Sequence, residues 1–118
     1  MAKILIVDDD ATLGEFIRRG LEKAGHEPAF VNDAYAALDR MSRRPFDVLL
    51  TDIAMPEMDG ISLALKASND HPRIRIILMS GYAEERERAH NLDALIQGLL
   101  AKPFTLETLE ATIATALA

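Results

Sequence analysis

Two periods of apolar residues alternate along the chain. Ile4-Leu5-Ile6-Val7 is a continuous apolar run closed by three aspartates, the pattern of a strand buried on both faces. Leu13, Phe16, Ile17, Gly20, Leu21 and Ala24 then recur at helical spacing, with Gly25 as the stop. Pro28 to Val31 predicts a second strand, placed at a sheet edge by its proline, and Asn32 is the expected cap of a helix running to about Arg43, with Pro45 ending it. Asp47 to Thr51 predicts a third buried strand leading into Asp52, and Pro56 to Gly60 a turn before a helix through Ile61, Ala64 and Leu65. Arg73 to Met79 reads as strand four, Ala83 to about Leu92 as a charged, exposed helix, and Ile96 to Ala101 as strand five. The last helix carries an apolar stripe of Leu106, Leu109, Ile113 and Leu117, with Thr105 as its cap and Phe104 stapled against Leu109.

Five strands alternating with five helices predict an α/β fold, a parallel sheet with helices on both faces. Over 118 residues, 49% of them hydrophobic, one core and one domain spanning 1–118 are expected, with no output domain attached. The absence of cysteine excludes disulfides and thiolate chemistry. No apolar run approaches the roughly 20 residues of a membrane span, so a cytoplasmic protein without membrane insertion is expected. A net charge of −6 argues against direct nucleic acid binding. Arg40, Arg43 and Arg44 sit where cations suit a helix C-terminus, and His26, His71 and His90 lack partners at metal-ligand spacing and read as surface residues.

In open α/β sheets the functional groups collect beyond the carboxyl ends of the strands. Here those ends deliver Asp8 and Asp9, Asp52, Ser80 and Lys102. Three carboxylates in one place repel one another unless a hard cation or an ammonium compensates, and magnesium suits a few carboxylates completed by water and phosphate oxygens. A carboxylate can also attack a phosphoryl group, with metal and ammonium stabilising the transferred oxygens. Asp52 is the candidate phosphoacceptor, Ser80 and Lys102 the candidate phosphoryl-binding groups, and Asp10 the expected helix cap.

Through Val7-Asp8-Asp9, Asp52-Ile-Ala-Met-Pro-Glu-Met-Asp-Gly60, Met79-Ser80-Gly81 and Lys102-Pro103-Phe104, the chain resembles the receiver domains of two-component response regulators. The resemblance implies a flavodoxin-like fold of strand order 2-1-3-4-5 and phosphorylation of Asp52 by a histidine kinase or histidine phosphotransferase. It also implies a magnesium ion held by Asp9, Asp52 and the backbone carbonyl of Ala54, with Asp8 acting through water. It further implies a signalling switch rather than an enzyme, one that assists only its own phosphorylation and dephosphorylation.

Two positions depart from the family pattern. Leu99 stands three residues before Lys102, where many receivers carry an aromatic switch, which leaves Tyr82 as the candidate for that role or as an interface aromatic. Leu92-Asp-Ala-Leu-Ile-Gln97 replaces a small turn before strand five, and Leu95 is either core or part of an output surface. With Gly81 to Ile96, this segment is similar to CpdR-type single-domain regulators. That similarity implies output through a downstream protein partner, the ClpXP protease, to which the unphosphorylated form helps deliver substrates.

The enzyme alternative is a haloacid-dehalogenase-type phosphatase, because Asp8-Asp-Asp10-Ala-Thr12 also reads as D-x-D-x-T with Asp8 as nucleophile and Asp10 as general acid. It leaves the Asp52 to Gly60 motif without a role and lacks an acidic pair beyond Lys102. An FMN-binding domain is disfavoured by the acidic mouth and the missing phosphate cradle.

Overall fold

The predicted strands form one five-stranded parallel sheet in the computed structural model, which describes residues 1–118. In chain order the elements are β1 (Lys3–Val7), α1 (Ala11–Lys23), β2 (Glu27–Val31), α2 (Ala34–Arg43) and β3 (Val48–Asp52). They continue as α3 (Gly60–Asp70), β4 (Arg75–Ser80), α4 (Ala83–His90), β5 (Gly98–Ala101) and α5 (Leu106–Leu117). The strand order β2-β1-β3-β4-β5 leaves β2, with Pro28, at an edge, where a missing N–H costs least.

Alternation along the central strands divides the interior into two cores. Leu5, Val7, Leu49, Ile76 and Leu78 face α2, α3 and α4, while Ile4, Ile6, Val48, Leu50, Ile77 and Met79 face α1 and α5. Each such side chain contributes about 1.5–3 kcal/mol of burial, which is why the central strands are apolar on both faces. The four carboxyl ends of β1, β3, β4 and β5 therefore finish side by side on the same rim of the sheet. No helix is long and apolar enough to cross a membrane.

Several local expectations shift. Asp33, not Asn32, caps α2, its carboxylate accepting from Ala36 N–H at 2.7 Å. Phe16 is half exposed, because Leu13, Gly14, Ile17 and Leu21 already fill the inward face of α1, with Gly14 leaving room for the Phe30 ring. Leu65 likewise lies outside the buried face of α3, which is formed by Leu63, Ala64 and Ala67. Strand β4 starts at Arg75, since residues 71–74 turn with Ile74 N–H donating to His71 C=O at 3.0 Å. Residues 91–95 wind as turns, so β5 begins at Gly98 and not at Ile96. His26 is half buried and its Nδ1 accepts from Ala2 N–H at 3.1 Å, which ties the start of the chain to the α1–β2 turn.

Thr105 caps α5, accepting from Thr108 N–H at 3.1 Å, and Phe104 packs on the same core as Leu109, as the staple requires. Arg43 pairs with Asp39 at 3.1 Å near the end of α2.

Candidate functional site

Each acidic residue reaches the rim for a local reason. Asp8 directly follows β1, Asp52 is the last residue of β3, and parallel pairing of β1 with β3 sets them beside each other. The chain then turns into α1, where Asp10 caps by accepting from Leu13 N–H at 3.1 Å. Asp8 is fully buried and Asp52 nearly so, whereas Asp9 is exposed at the mouth. Carboxylate oxygens of the three lie within 4.8 Å of one another. Hard oxygen donors clustered in this way fit a magnesium ion in kind and number.

Lys102, immediately after β5, extends its ammonium between two of them. Its Nζ lies 3.0 Å from Asp8 Oδ2 and 3.1 Å from Asp52 Oδ1. Burial pushes the Asp52 carboxyl up to about 6, the Asp8 and Asp9 charges add to the rise, and Lys102 opposes it. Burial works against the Lys102 charge as well, but its hydrogen bonds to Asp8 and Asp52 and their charges hold the ammonium above its usual range. Asp8 has both oxygens engaged, Oδ1 accepting from Asp10 N–H at 2.9 Å and Oδ2 from Lys102. A buried, doubly bonded Asp8 and a capping Asp10 are poorly placed as nucleophile and general acid, so the phosphatase alternative is not favoured.

A cleft of about 590 Å³ opens over Asp52, with Ala54, Tyr82 and Lys102 in its wall and Leu13, Pro103 and Phe104 at its apolar side. Below it, Gly60 is required by sterics. A Cβ there would fall on the Asp52 carbonyl oxygen, and Gly60 N–H donates to Ile53 C=O at 2.8 Å, fastening the loop after β3 under the site. Within that loop Glu57 adopts a φ of 68°, a left-handed conformation that the Pro-Glu-Met-Asp spacing did not signal. Asp59 caps α3 through Ser62 N–H at 2.8 Å and pairs with Arg88 of α4 at 2.7 Å.

Ser80 ends β4 fully buried, and its hydroxyl is turned toward α4, donating to Tyr82 C=O at 2.8 Å with Glu85 Oε1 at 3.3 Å. Tyr82 itself is mostly exposed at the cleft edge. Leu99 pairs with Leu78 across β4 and β5 and packs on the α2–α4 core, while Leu95 is half buried in the 91–95 turns. The rim thus gathers Asp8, Asp9, Asp52, Ala54, Tyr82, Ser80 and Lys102, but neither Leu95 nor Leu99.

Glu85 is the residue that sequence reasoning missed. It lies on a helix whose only other buried position is Ala89, one turn later, and this i, i+4 pair was the available signal of an inward face. Gln97 was missed too. Its side chain accepts from Ile76 N–H at 2.6 Å and its own N–H donates to Ile76 C=O at 2.8 Å, extending the β4–β5 pairing by side-chain means.

Comparison with known proteins agrees with this geometry. Residues 4–114 match the response regulator receiver domain. The chain is 37% identical over 109 residues to the response regulator receiver protein CpdR of Brucella abortus, covering 92% of this chain and 91% of that one. It is 34% identical over 111 residues to the response regulator MprA of Mycobacterium leprae, covering 94% of this chain but 49% of that protein. Among solved structures, a CheY-like receiver domain protein from Methanospirillum hungatei superposes with a TM-score of 0.92 at 30% identity, over 99% of this chain and 94% of that one. The chemotaxis response regulator CheY4 of Vibrio cholerae does so with 0.89 at 27% identity, over 98% of both chains. With the acidic rim, the bridging lysine and the 2-1-3-4-5 sheet in place, the chain belongs to the response regulator receiver domain family.

Proposed function

We propose that this receiver works as a phosphorylation switch in which Asp52 takes a phosphoryl group from a histidine kinase or histidine phosphotransferase, and that its phosphorylation state controls binding to a protein partner. The observation that carries this reading is the Asp8, Asp9 and Asp52 cluster spanned by the Lys102 ammonium at 3.0 and 3.1 Å. An Asp52 carboxylate oxygen attacks phosphorus, the bond to the donor imidazole nitrogen breaks, and an acyl phosphate results. Asp9, Asp52 and the Ala54 carbonyl would hold a magnesium ion directly, with Asp8, its oxygens already engaged, contributing through water. Bound magnesium would supply positive charge to the transferred oxygens. Lys102 exchanges its contact with Asp52 for a phosphoryl oxygen, and Ser80 swings to donate to another.

Release of Ser80 from the Tyr82 carbonyl frees the residue that opens α4, which supports Tyr82 as the responding aromatic in place of Leu99. The likeness to CpdR, over nearly the full length of both chains, favours a protein output, with delivery of substrates to the ClpXP protease by the unphosphorylated form as the specific reading. The turn carrying Leu95 joins α4 to β5, the surface on which we place that output.

Acetyl phosphate with magnesium is expected to add the mass of one phosphoryl group, and Asp52→Asn to abolish the addition while keeping the fold. Labelling that survives in Asp52→Asn, or that maps to Asp8, refutes the assignment. Beryllofluoride, a stable phosphoryl mimic, covers the case of rapid hydrolysis. For output, pull-downs with the beryllofluoride-loaded chain and with Asp52→Ala are expected to recover different amounts of the protease complex, and equal recovery would dismiss that partner.

A further inference from the structure

The Ser80 hydroxyl has one proton to donate, and the first turn of α4 holds it. Tyr82 C=O accepts at 2.8 Å, and Glu85 Oε1 stands 3.3 Å from the same oxygen. That Glu85 oxygen also accepts from Gly81 N–H at 3.1 Å, so one carboxylate clasps two consecutive residues at the end of β4. Glu85 is among the few charged side chains buried in the molecule, and it has no ion-pair partner. It also lines the cleft that contains Asp52 and Lys102. A buried carboxylate without a cation is costly to keep, and here its compensation is Gly81 N–H together with a share of the Ser80 proton, which Tyr82 C=O accepts at the shorter distance.

The helix that carries Glu85 is lightly anchored. It has eight residues, its one buried apolar side chain is Ala89, and its other tie is the half-exposed Arg88 to Asp59 pair. Elements with so little apolar burial are the ones that move at small cost.

We propose that Glu85 is a positioning residue, a latch that holds Ser80 and Gly81 against α4 in the unphosphorylated state and must let go before Ser80 can reach a phosphoryl oxygen. This rests on the reading of Asp52 as acceptor and Ser80 as phosphoryl ligand. The single Ser80 proton cannot serve a phosphoryl oxygen while it is shared between Tyr82 C=O and Glu85, so the Glu85 contact adds to the hold of the Tyr82 carbonyl and opposes activation by its own share.

Beryllofluoride affinity in magnesium, followed by fluorine NMR titration, tests it. Glu85→Ala, and Glu85→Met, which keeps the volume but accepts no hydrogen bond, are expected to tighten binding by about three- to tenfold. Glu85→Gln, whose amide oxygen still accepts, is expected to stay within about twofold of the parent. In a Ser80→Ala background the gain from Glu85→Ala is expected to vanish, because Glu85 then holds only Gly81 N–H and the hydroxyl that would reach the mimic is gone. Unchanged affinity in both Glu85→Ala and Glu85→Met, or an equal gain in the Ser80→Ala background, overturns the latch. Beryllofluoride binding that ignores Asp52→Asn, or is absent from the parent chain, defeats the acceptor reading and the latch with it. Binding lost in Asp52→Asn beside a flat Glu85 series defeats the latch alone.

Discussion

Replacing Asp52, the proposed phosphoacceptor, by asparagine is expected to make the metal-free protein more stable. The Asp52 carboxyl is held at about 6 against an ordinary 3.8, chiefly by burial and by the Asp8 charge, and its side chain is 8% exposed. That gap corresponds to about 3 kcal/mol of destabilisation once the group is ionised in both folded and unfolded chains. Water and relaxation at the cleft mouth reduce the effective figure to roughly 2 kcal/mol. For a chain of this size that is about 8 °C in Tm. Asparagine keeps the shape and drops the charge, and Lys102 retains Asp8 as its partner.

The sign of the pH dependence follows from where the proton sits. Between about pH 4 and 6 the folded state keeps a proton that the unfolded state has released, so wild-type stability falls as pH rises through that window. The advantage of Asp52→Asn should be full above about pH 7, shrink through the window, and be gone near pH 4. Paired urea or thermal melts at pH 8 and pH 4, in chelator, measure it. Added magnesium should narrow the gap at pH 8 by stabilising the wild type, which offers all three carboxylates. Equal stability of the two proteins at pH 8 in chelator, or a gap that persists undiminished at pH 4, would refute the electrostatic account.

Other perturbations separate the parts of the site. Gly60→Ala drives a methyl group into the Asp52 carbonyl; a loss of about 3 kcal/mol by urea melts and much slower acetyl phosphate labelling are expected, and a variant as stable as the parent would contradict the packing. Lys102→Met removes the charge that opposes the rise of the Asp52 pKa, so carboxyl chemical shifts should report Asp52 titrating above about 6, while labelling by acetyl phosphate drops; titration below that value would be inconsistent. Arg88→Ala breaks the pair with Asp59 between α4 and the α3 cap, and since Arg88 is half exposed the cost should be only about 0–1 kcal/mol; a larger loss would mean that α4 is anchored more firmly than its burial indicates.

The succession of strands and helices and the acidic rim were legible because both depend on patterns that survive in one dimension, whereas the strand order 2-1-3-4-5 was expected only from the family resemblance. Continuous apolar runs ending in Asp, Ser or Lys announce buried strands and what they carry, and Asp8, Asp9, Asp52 and Lys102 meet where those runs end. What escaped depends on choices between neighbours. Asn32 and Asp33 are both good caps, and only the start of α2 decides between them. Phe16 and Leu65 lie one position off the inward stripes, an offset that a loose apolar period cannot resolve. The Glu85 contact was hidden for a different reason. A glutamate in a charged helix normally faces water, and only the closeness of α4 to the end of β4 turns this one inward.

The bond from Lys102 to Asp8 spans 94 positions of sequence. The two residues follow the first and last strands of the sheet, with two other strands between them. Closing so long a loop costs entropy that only nearly complete pairing repays, so the Lys102–Asp8 contact is expected among the last features that folding assembles. A chain still emerging from synthesis, with β1 to β4 formed but β5 unpaired, has its carboxylates and no ammonium to balance them. If Asp52 is the acceptor proposed above, competence to receive a phosphoryl group is then a report of finished folding.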